Sequence, residues 1–466
     1  MSEPQRAAGT SPTQRLAEFA ATLTFAQLPE AVVAKAKLCL LDTLGCCVFG
    51  ASLPSVGRLT AMVAAEGAAK DSAVIGAALR TSPALAALVN STAAHAFQLD
   101  EIHLESTLHP GSVALPPALA VAERLGTPNG RDLVTAIIAA YEVGIRIGLA
   151  AKGGMFKSGF HNQGTAGAFV AAVAAARMLG LNALQMQHAL GIAGSQAAGL
   201  MAVQDGAMTK SFHSGHAAQA GVYAAQLAQR GYTGIPDVLD GAYGTFFPSF
   251  LEDWSDAPLA EGLGTHWHTL RVGFKPAPAA NGSITAMTAI DRVMREHGLC
   301  AGDIETITVH VSHNTLHHCG WPYEAKRIQS VLSAQMSLRY GIAVMALERQ
   351  ATPEQFAESK IRDPQILQFI PRISVEHDPK FDGDNGRYRV GCHLMVHASN
   401  RRQYETTVLY RKGSPEDPMS ENELKDKFQA LANNLGPGRV EQIVDVISKI
   451  DRCDDLAGLS RLLEAT

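Results

Sequence analysis

Ala136-Ile137-Ile138-Ala139-Ala140-Tyr141-Glu142-Val143-Gly144-Ile145-Arg146-Ile147-Gly148-Leu149 is the stretch whose reading decides the fold class. Its apolar residues recur at three- and four-residue spacing, which makes it a helix. Glu142 and Arg146 interrupt it before about 18 apolar residues accumulate, and Arg177 does the same to Ala166–Leu181. The reading is therefore of helices packed closely against protein rather than lipid. The means of close approach are abundant: 42 glycines, 6% aromatics, and Ala-rich runs at Ala171–Ala176 and Ala217–Ala228.

The same texture extends outward from Pro12 to about Leu263. Leu28-Pro29-Glu30 opens a helix running through Leu44, with proline tolerated in the first turn. Further helices are expected at Pro83–Gln98, Pro116–Leu125, Gly130–Leu149, Gly164–Leu179, Asn182–Leu200 and His213–Arg230. Near residue 264 the pattern changes. Thr269–Phe274, Thr306–Val311, Ile373–Val375, Tyr388–Met395 and Glu405–Tyr410 are short, β-branched or alternating, and read as strands, with a turn at Asp382-Gly383-Asp384-Asn385-Gly386. Ile284–Gly298 and Ser330–Leu347 read as helices between them, and helices return after Pro418 at Leu424–Leu435, Arg439–Ile447 and Ser460–Leu463. The expected protein is mainly α. A frayed tail covers 1–12, an all-helical domain 13–265, an α+β domain 266–412, and a helical tail over 413–466 returns to the helical domain.

With 39 basic and 44 acidic residues the net charge is −5, which argues against a protein that binds by neutralising nucleic-acid phosphates. A 47% hydrophobic and 18% charged composition excludes a disordered chain. Seven cysteines without a C-x-x-C motif read as reduced thiols. Met1–Gln14 is polar with no apolar h-region, so a cytoplasmic location is the default expectation.

There is no G-x-x-x-x-G-K-[ST], no strand-led G-x-G-x-x-G and no G-x-S-x-G, and the ATP, dinucleotide and serine-hydrolase readings drop accordingly. What remains is a set of histidines, lysines and acids beside glycines. His95 to Ser112 holds three histidines and three acids within fifteen residues, between an Ala-rich helix and a Pro-started one. It reads either as a cleft-lining loop in which carboxylates tune imidazoles for proton transfer, or as a capping segment with solvated charges. Gly159 to Gly167 is a polar helix start suited to an anion beside His161, or else an ordinary N-cap. Lys210 lies alone among small and apolar residues, as a carboxylate-binding point charge or a snorkelling side chain. Lys275 is a second candidate cation at a strand end, or a solvated one. His310 to Trp321 is rich in histidine but matches no zinc spacing; alternation puts His310 on the polar side of a strand. Tyr340 reads as core, with a hydroxyl that needs a partner.

Taken together, Leu108-His109-Pro110-Gly111-Ser112, Phe160-His161, Lys210 with His213, Lys275, and Ser337-x-x-Tyr340 resemble the MmgE/PrpD superfamily in order and spacing. That superfamily includes 2-methylcitrate dehydratase, cis-aconitate decarboxylase and iminodisuccinate epimerase. Leu99-Asp100-Glu101-Ile102-His103, Ala197–Met201, Trp267-His268-Thr269 and His318–Trp321 look most like fungal-type cis-aconitate decarboxylases. The resemblance implies a homodimer whose subunit combines a large all-helical domain, formed by both chain ends, with a smaller α+β lid. It implies an active site in the cleft between them and no metal or organic cofactor. It implies Asp100, His109, His161, Lys210, Lys275 and Tyr340 as catalytic residues, with Gln98, His103 and His213 binding a small carboxylate. Gln98 stands where relatives usually carry an acid, and Ala280 and Ile284 stand where they often place Cys or His. The implied activity is a cofactor-independent lyase of a small di- or tricarboxylate, decarboxylating or dehydrating it. An epimerase of a dicarboxylate such as iminodisuccinate, or a carboxylate binder that has lost the chemistry, are the alternatives.

Overall fold

A computed structural model describes residues 10–126, 129–241, 243–322, 330–383 and 388–464. The protein is mainly α, with one four-stranded sheet and a two-stranded hairpin, Ser72–Ala73 against Arg80–Thr81, among the described residues. Of the expected frayed tail, residues 1–9 lie outside the described residues. Pro12 already begins the first helix, capped by Ser11, whose side chain accepts from Gln14 N while Gln14 Oε1 accepts from Ser11 N.

The Gly130–Ala150 helix is the centre of the helical part. It is long and apolar enough to cross a membrane, yet 94% of its apolar window is buried inside the protein. The two charges in its apolar stretch, Glu142 and Arg146, are buried. Arg146 donates to the carbonyls of Pro258, Glu261, Gly262 and His266, and Glu142 accepts from both Thr269 N and Thr269 Oγ1 at 2.8 Å. The charged pair thus ties the 258–269 loop to the core helix, and the two atoms it leaves without a hydrogen bond, Glu142 Oε2 and Arg146 Nε, face each other at 3.7 Å.

Around this helix stand Glu30–Ala51, Pro83–Ala94, Pro110–Leu125, Ala166–Met178, Ala183–Gly194 and Thr209–Gln229. Small residues let them interlock. A Cβ added at Gly221 would lie 2.4 Å from the Cβ of Ala171, and one at Gly215 would lie 2.3 Å from the carbonyl oxygen of Leu88. These two glycines seat the Thr209–Gln229 helix against the Ala166–Met178 and Pro83–Ala94 helices. Leu424, Phe428, Val440, Ile443 and Leu459 from the C-terminal segment share one hydrophobic cluster with Leu16, Leu40 and Ile137. Lys427 Nζ reaches Asp42 Oδ1 at 2.6 Å and the carbonyl of Leu99 at 2.7 Å.

The second hydrophobic cluster lies between Ala277 and Val408, with Cys46, Phe97, Leu99 and Leu431 joining it. Its sheet runs in the order Ile373–His377, Ile304–Val311, Cys392–Ala398, Gln403–Val408; the first pair is parallel and the others antiparallel. Ile307, Val309 and Val311 are buried toward the Asn281–His297 and Leu338–Glu348 helices, while His310 pairs in register with His393 on the less buried side.

Several expected elements take different form. Thr269–Phe274 is not a strand: His268–Arg271 is a 3-10 turn held by Glu142, and Gly273 makes only an isolated bridge to Ile102. The helix expected from Pro116 begins at Pro110, carrying Pro116 and Pro117 inside it. Pro116 cannot donate to the Ser112 carbonyl, and Ser214 Oγ, 3.4 Å away, offers that oxygen a donor instead. Ser330–Leu347 is two helices, Val331–Gln335 and Leu338–Glu348, because Ser337 caps the second through Tyr340 N. The turn expected at Asp382 to Gly386 falls partly outside the described residues, which omit 384–387.

Candidate active site

The Pro83–Ala94 helix ends at His95, and the chain crosses to Pro110 in a loop held from below by a buried carboxylate. Glu101 accepts from Gly111 N at 2.6 Å, Tyr141 OH at 2.7 Å and Thr43 Oγ1 at 3.2 Å. Only glycine fits at 111, since a Cβ there would lie 2.0 Å from Glu101 Oε1. Burial first, and the neighbouring Asp42 and Asp100 charges next, push the Glu101 carboxyl up to about 8. From the other side Gln163 grips the backbone of His109, accepting from its N–H at 3.0 Å and donating to its carbonyl at 2.9 Å.

Between these two holds, Asp100 is fully buried and lies 2.8 Å from His95 Nδ1 and 3.3 Å from His109 Nδ1. Burial would raise its carboxyl; the adjacent His109 and His95 outweigh that and hold it well below the usual carboxylate range. Burial lowers His95 to about 3, so it is a neutral ring donating Nδ1–H to Asp100. The ring centroid of His95 is 4.8 Å from that of His109 and 5.7 Å from that of His161. His161 in turn faces His213, their Nδ1 atoms 3.1 Å apart. Burial, with Lys210 nearby, keeps His161 far below its ordinary value, and the same causes bring His213 to about 4. Four imidazoles therefore form a continuous row above one carboxylate.

His109 and His161 line a cavity of about 230 Å³ together with Lys210, Lys275, Asn162 and Gln98. Lys210 is 6% exposed and Lys275 1% exposed, and neither ammonium has a hydrogen-bond or ion-pair partner among the described residues. Burial lowers Lys210 to about 8, against a partial rise from Asp100; burial, with Lys210 itself among the opposing charges, lowers Lys275 to about 7. A buried, unpaired lysine costs several kcal/mol in a folded protein and marks a place built for an anion. Lys152, Lys157 and Arg389 also line this cavity, and among the described residues no Asp or Glu side chain does.

His95, Asp100 and His109 offer ligand atoms within 4.8 Å of one another, a spacing a cation could use. It would do so only by displacing the 2.8 Å contact between His95 Nδ1 and Asp100, and the structure reads more simply as two imidazoles oriented by a shared carboxylate.

The structure thus brings together His109, His161, Lys210, Lys275 and Gln98 at the cavity, with Asp100 and His213 directly behind the imidazoles. Gln98 has φ +59 and makes no hydrogen bond among the described residues. Two expected residues are elsewhere. Tyr340 is fully buried in the core beneath the sheet, where its hydroxyl donates to the Gln355 carbonyl at 2.6 Å and its ring packs against Phe356. His103 is turned away from the cavity, its Nδ1 3.0 Å from Ser106 Oγ and its ring near His268. Three contributors were not singled out by sequence. His95 sits five residues before Asp100 in the same His-rich run, and Asn162 adjoins His161. Arg389 has no local signal, because the contact it makes is with Leu104, 285 residues earlier.

Known proteins are similar to the chain over nearly its whole length. A cis-aconitate decarboxylase of Aspergillus terreus is 30% identical, covering 97% of this chain and 95% of its own length. A cis-aconitate decarboxylase-like protein of Aspergillus oryzae is 27% identical over 97% of each chain. The human cis-aconitate decarboxylase is 27% identical over 95% of this chain and 92% of its own. The MmgE/PrpD N-terminal domain matches residues 14–256 and the MmgE/PrpD C-terminal domain residues 278–452, and on that double match the chain belongs to the MmgE/PrpD family.

Proposed function

We propose that the protein is a cofactor-independent lyase of a small carboxylate, acting as a cis-aconitate decarboxylase. The observation that carries this reading is the pair of buried lysines, unpaired by any acid, facing the same cavity as His109 and His161. In cis-aconitate the carboxylate on the saturated carbon is allylic to the double bond. When its C–C bond breaks, CO2 leaves and the electron pair forms a new C=C. The former double-bond electrons move to the far alkene carbon, beside another carboxylate, and a proton is added there to give a methylene dicarboxylate.

Charge thus develops next to a carboxylate already ionised, and Lys210 and Lys275 holding that group stabilise the enolate-like state. His109, beside the Asp100 carboxylate, delivers the proton, a role typically worth about 10²–10⁴-fold, while His161, kept neutral by burial, serves as a hydrogen-bonding partner or proton acceptor in the cavity. Asp100 is a positioning residue: it fixes the Nδ1–H of His109 and so turns Nε2 toward the substrate. The 266–412 segment serves in this reading as a lid over the helical body. A homodimer is proposed as well, supported by Tyr223 and Leu227, exposed one turn apart on the Thr209–Gln229 helix, with Tyr232 and Ile235 exposed just beyond. Sedimentation as a monomer refutes that part.

The test of the activity is a panel of cis-aconitate, 2-methylcitrate, citrate and iminodisuccinate offered to purified, EDTA-treated protein. Release of CO2 from cis-aconitate is expected. Turnover of 2-methylcitrate alone would shift the assignment to dehydration, and inertness to the whole panel, with melting shifts retained, would leave a carboxylate binder without chemistry.

A further inference from the structure

Arg389 is a cation at the cavity wall with no ion-pair partner among the described residues. Its backbone is pinned from one side: the Arg389 carbonyl accepts from Ser312 Oγ at 2.5 Å and Thr315 Oγ1 at 2.7 Å. Its side chain reaches the other side, where the guanidinium donates to the Leu104 carbonyl in the His95–His109 loop. That is its only side-chain partner among the described residues, so most of a five-donor fork is uncommitted. Glu105, whose charge acts on Arg389, is already engaged by Arg271 at 2.9 Å.

The position is as telling as the missing partner. Arg389 lines the 230 Å³ cavity and also a second hollow of about 800 Å³, and with Leu104 and Lys152 it forms the wall the two share. A guanidinium fixed at such a boundary matches a carboxylate in two parallel hydrogen bonds, which a lysine cannot do.

We propose that Arg389 binds the substrate carboxylate that neither leaves nor stands beside the developing charge, and so selects among substrates by carboxylate count. This rests on the carboxylate reading above. In cis-aconitate that group is the one on the central carbon.

Two inert analogues isolate it: tricarballylate keeps the central carboxylate and glutarate lacks it. Their affinities are measured by calorimetry on the full-length wild-type chain, Arg389→Gln and Arg389→Lys. The wild type is expected to bind tricarballylate about 10- to 100-fold more tightly than glutarate, the range that a pair of charge-assisted hydrogen bonds supplies. Arg389→Gln removes that advantage while leaving glutarate within about threefold, and Arg389→Lys keeps a part of it. Equal weakening of both ligands in Arg389→Gln, or a wild type that does not discriminate, overturns the proposal. Should Arg389→Gln fail to fold, full discrimination retained by Arg389→Lys overturns it just as well. A wild type that binds neither analogue and turns over nothing in the panel refutes the carboxylate reading itself.

Discussion

Replacing Lys275 with methionine is expected to make the protein more stable and inactive. Lys275 is 1% exposed and has no partner among the described residues, so the folded state carries an ammonium it has removed from water. Burial takes it from 10.5 to about 7, a charge penalty of up to about 5 kcal/mol at ~1.4 kcal/mol for each pKa unit. Methionine has a similar volume and no charge, so the variant recovers part of that penalty; relaxation around the lysine makes a gain of about 1–4 kcal/mol the realistic range. The sign with pH follows from the depressed value. Below pH 7 the folded protein holds the charged form and the penalty is full, and it fades as pH rises from about 7 toward 10.5. Denaturant melts of wild type and Lys275→Met at intervals from pH 6 to pH 10 measure this directly. The stability gap should be widest at pH 6 and narrow steadily above pH 7, while turnover of cis-aconitate falls by at least about 10²-fold at every pH. A variant less stable than wild type, or a gap that does not change with pH, would refute the claim that Lys275 is a strained, unpaired cation.

Three further outcomes are expected. His95 Nδ1 and His109 Nδ1 both face Asp100 Oδ2, so Asp100→Ala, which removes that oxygen and its charge from both rings, should drop turnover about 10²–10⁴-fold with ligand affinity nearly unchanged, and an unchanged rate would remove the positioning role. Tyr340→Phe should keep wild-type turnover and cost about 1 kcal/mol of stability for the lost bond to the Gln355 carbonyl, whereas loss of activity in a stably folded variant would put Tyr340 back in the site. Binding of tricarballylate at pH 8 should take up protons, because an anion raises Lys210 and Lys275 from about 8 and about 7; affinity should fall as pH rises through that range, and calorimetry giving the same heat in buffers of different ionisation enthalpy would contradict it.

Much of the site was legible because its chemistry is concentrated in short runs. His109 and His161 stand beside glycines and helix starts, and two lysines in small-residue surroundings have few structural reasons to be there. The pairing within the run was harder to see, since His95 and His109 converge on Asp100 only after the loop has folded over Glu101. Residues whose role depends on distant segments stayed hidden. Arg389 has meaning only against Leu104 and Lys152. Thr269–Phe274 has strand composition, but its backbone donors scatter: Thr269 N goes to Glu142 on the core helix, Leu270 N and Val272 N close the 3-10 turn, Gly273 N goes to the Ile102 carbonyl and Phe274 N to the Gly413 carbonyl, and among the described residues none of these belongs to a strand ladder. Tyr340 shows the opposite case: the resemblance implied chemistry for it, while the plain reading as a core residue with a hydroxyl that needs a partner describes its place in the structure, against the Gln355 carbonyl.

Gly215 and Gly221 touch no part of the cavity, yet they fix how far the Thr209–Gln229 helix stands from its neighbours, and Lys210 and His213 ride on that helix. A methyl group at either position would act as a shim, lifting the helix and moving both site residues together. A map of tolerated single substitutions would therefore mark these glycines as intolerant as the groups that meet substrate. Read without the structure, such a map would mistake a tolerance in assembly for a role in the reaction.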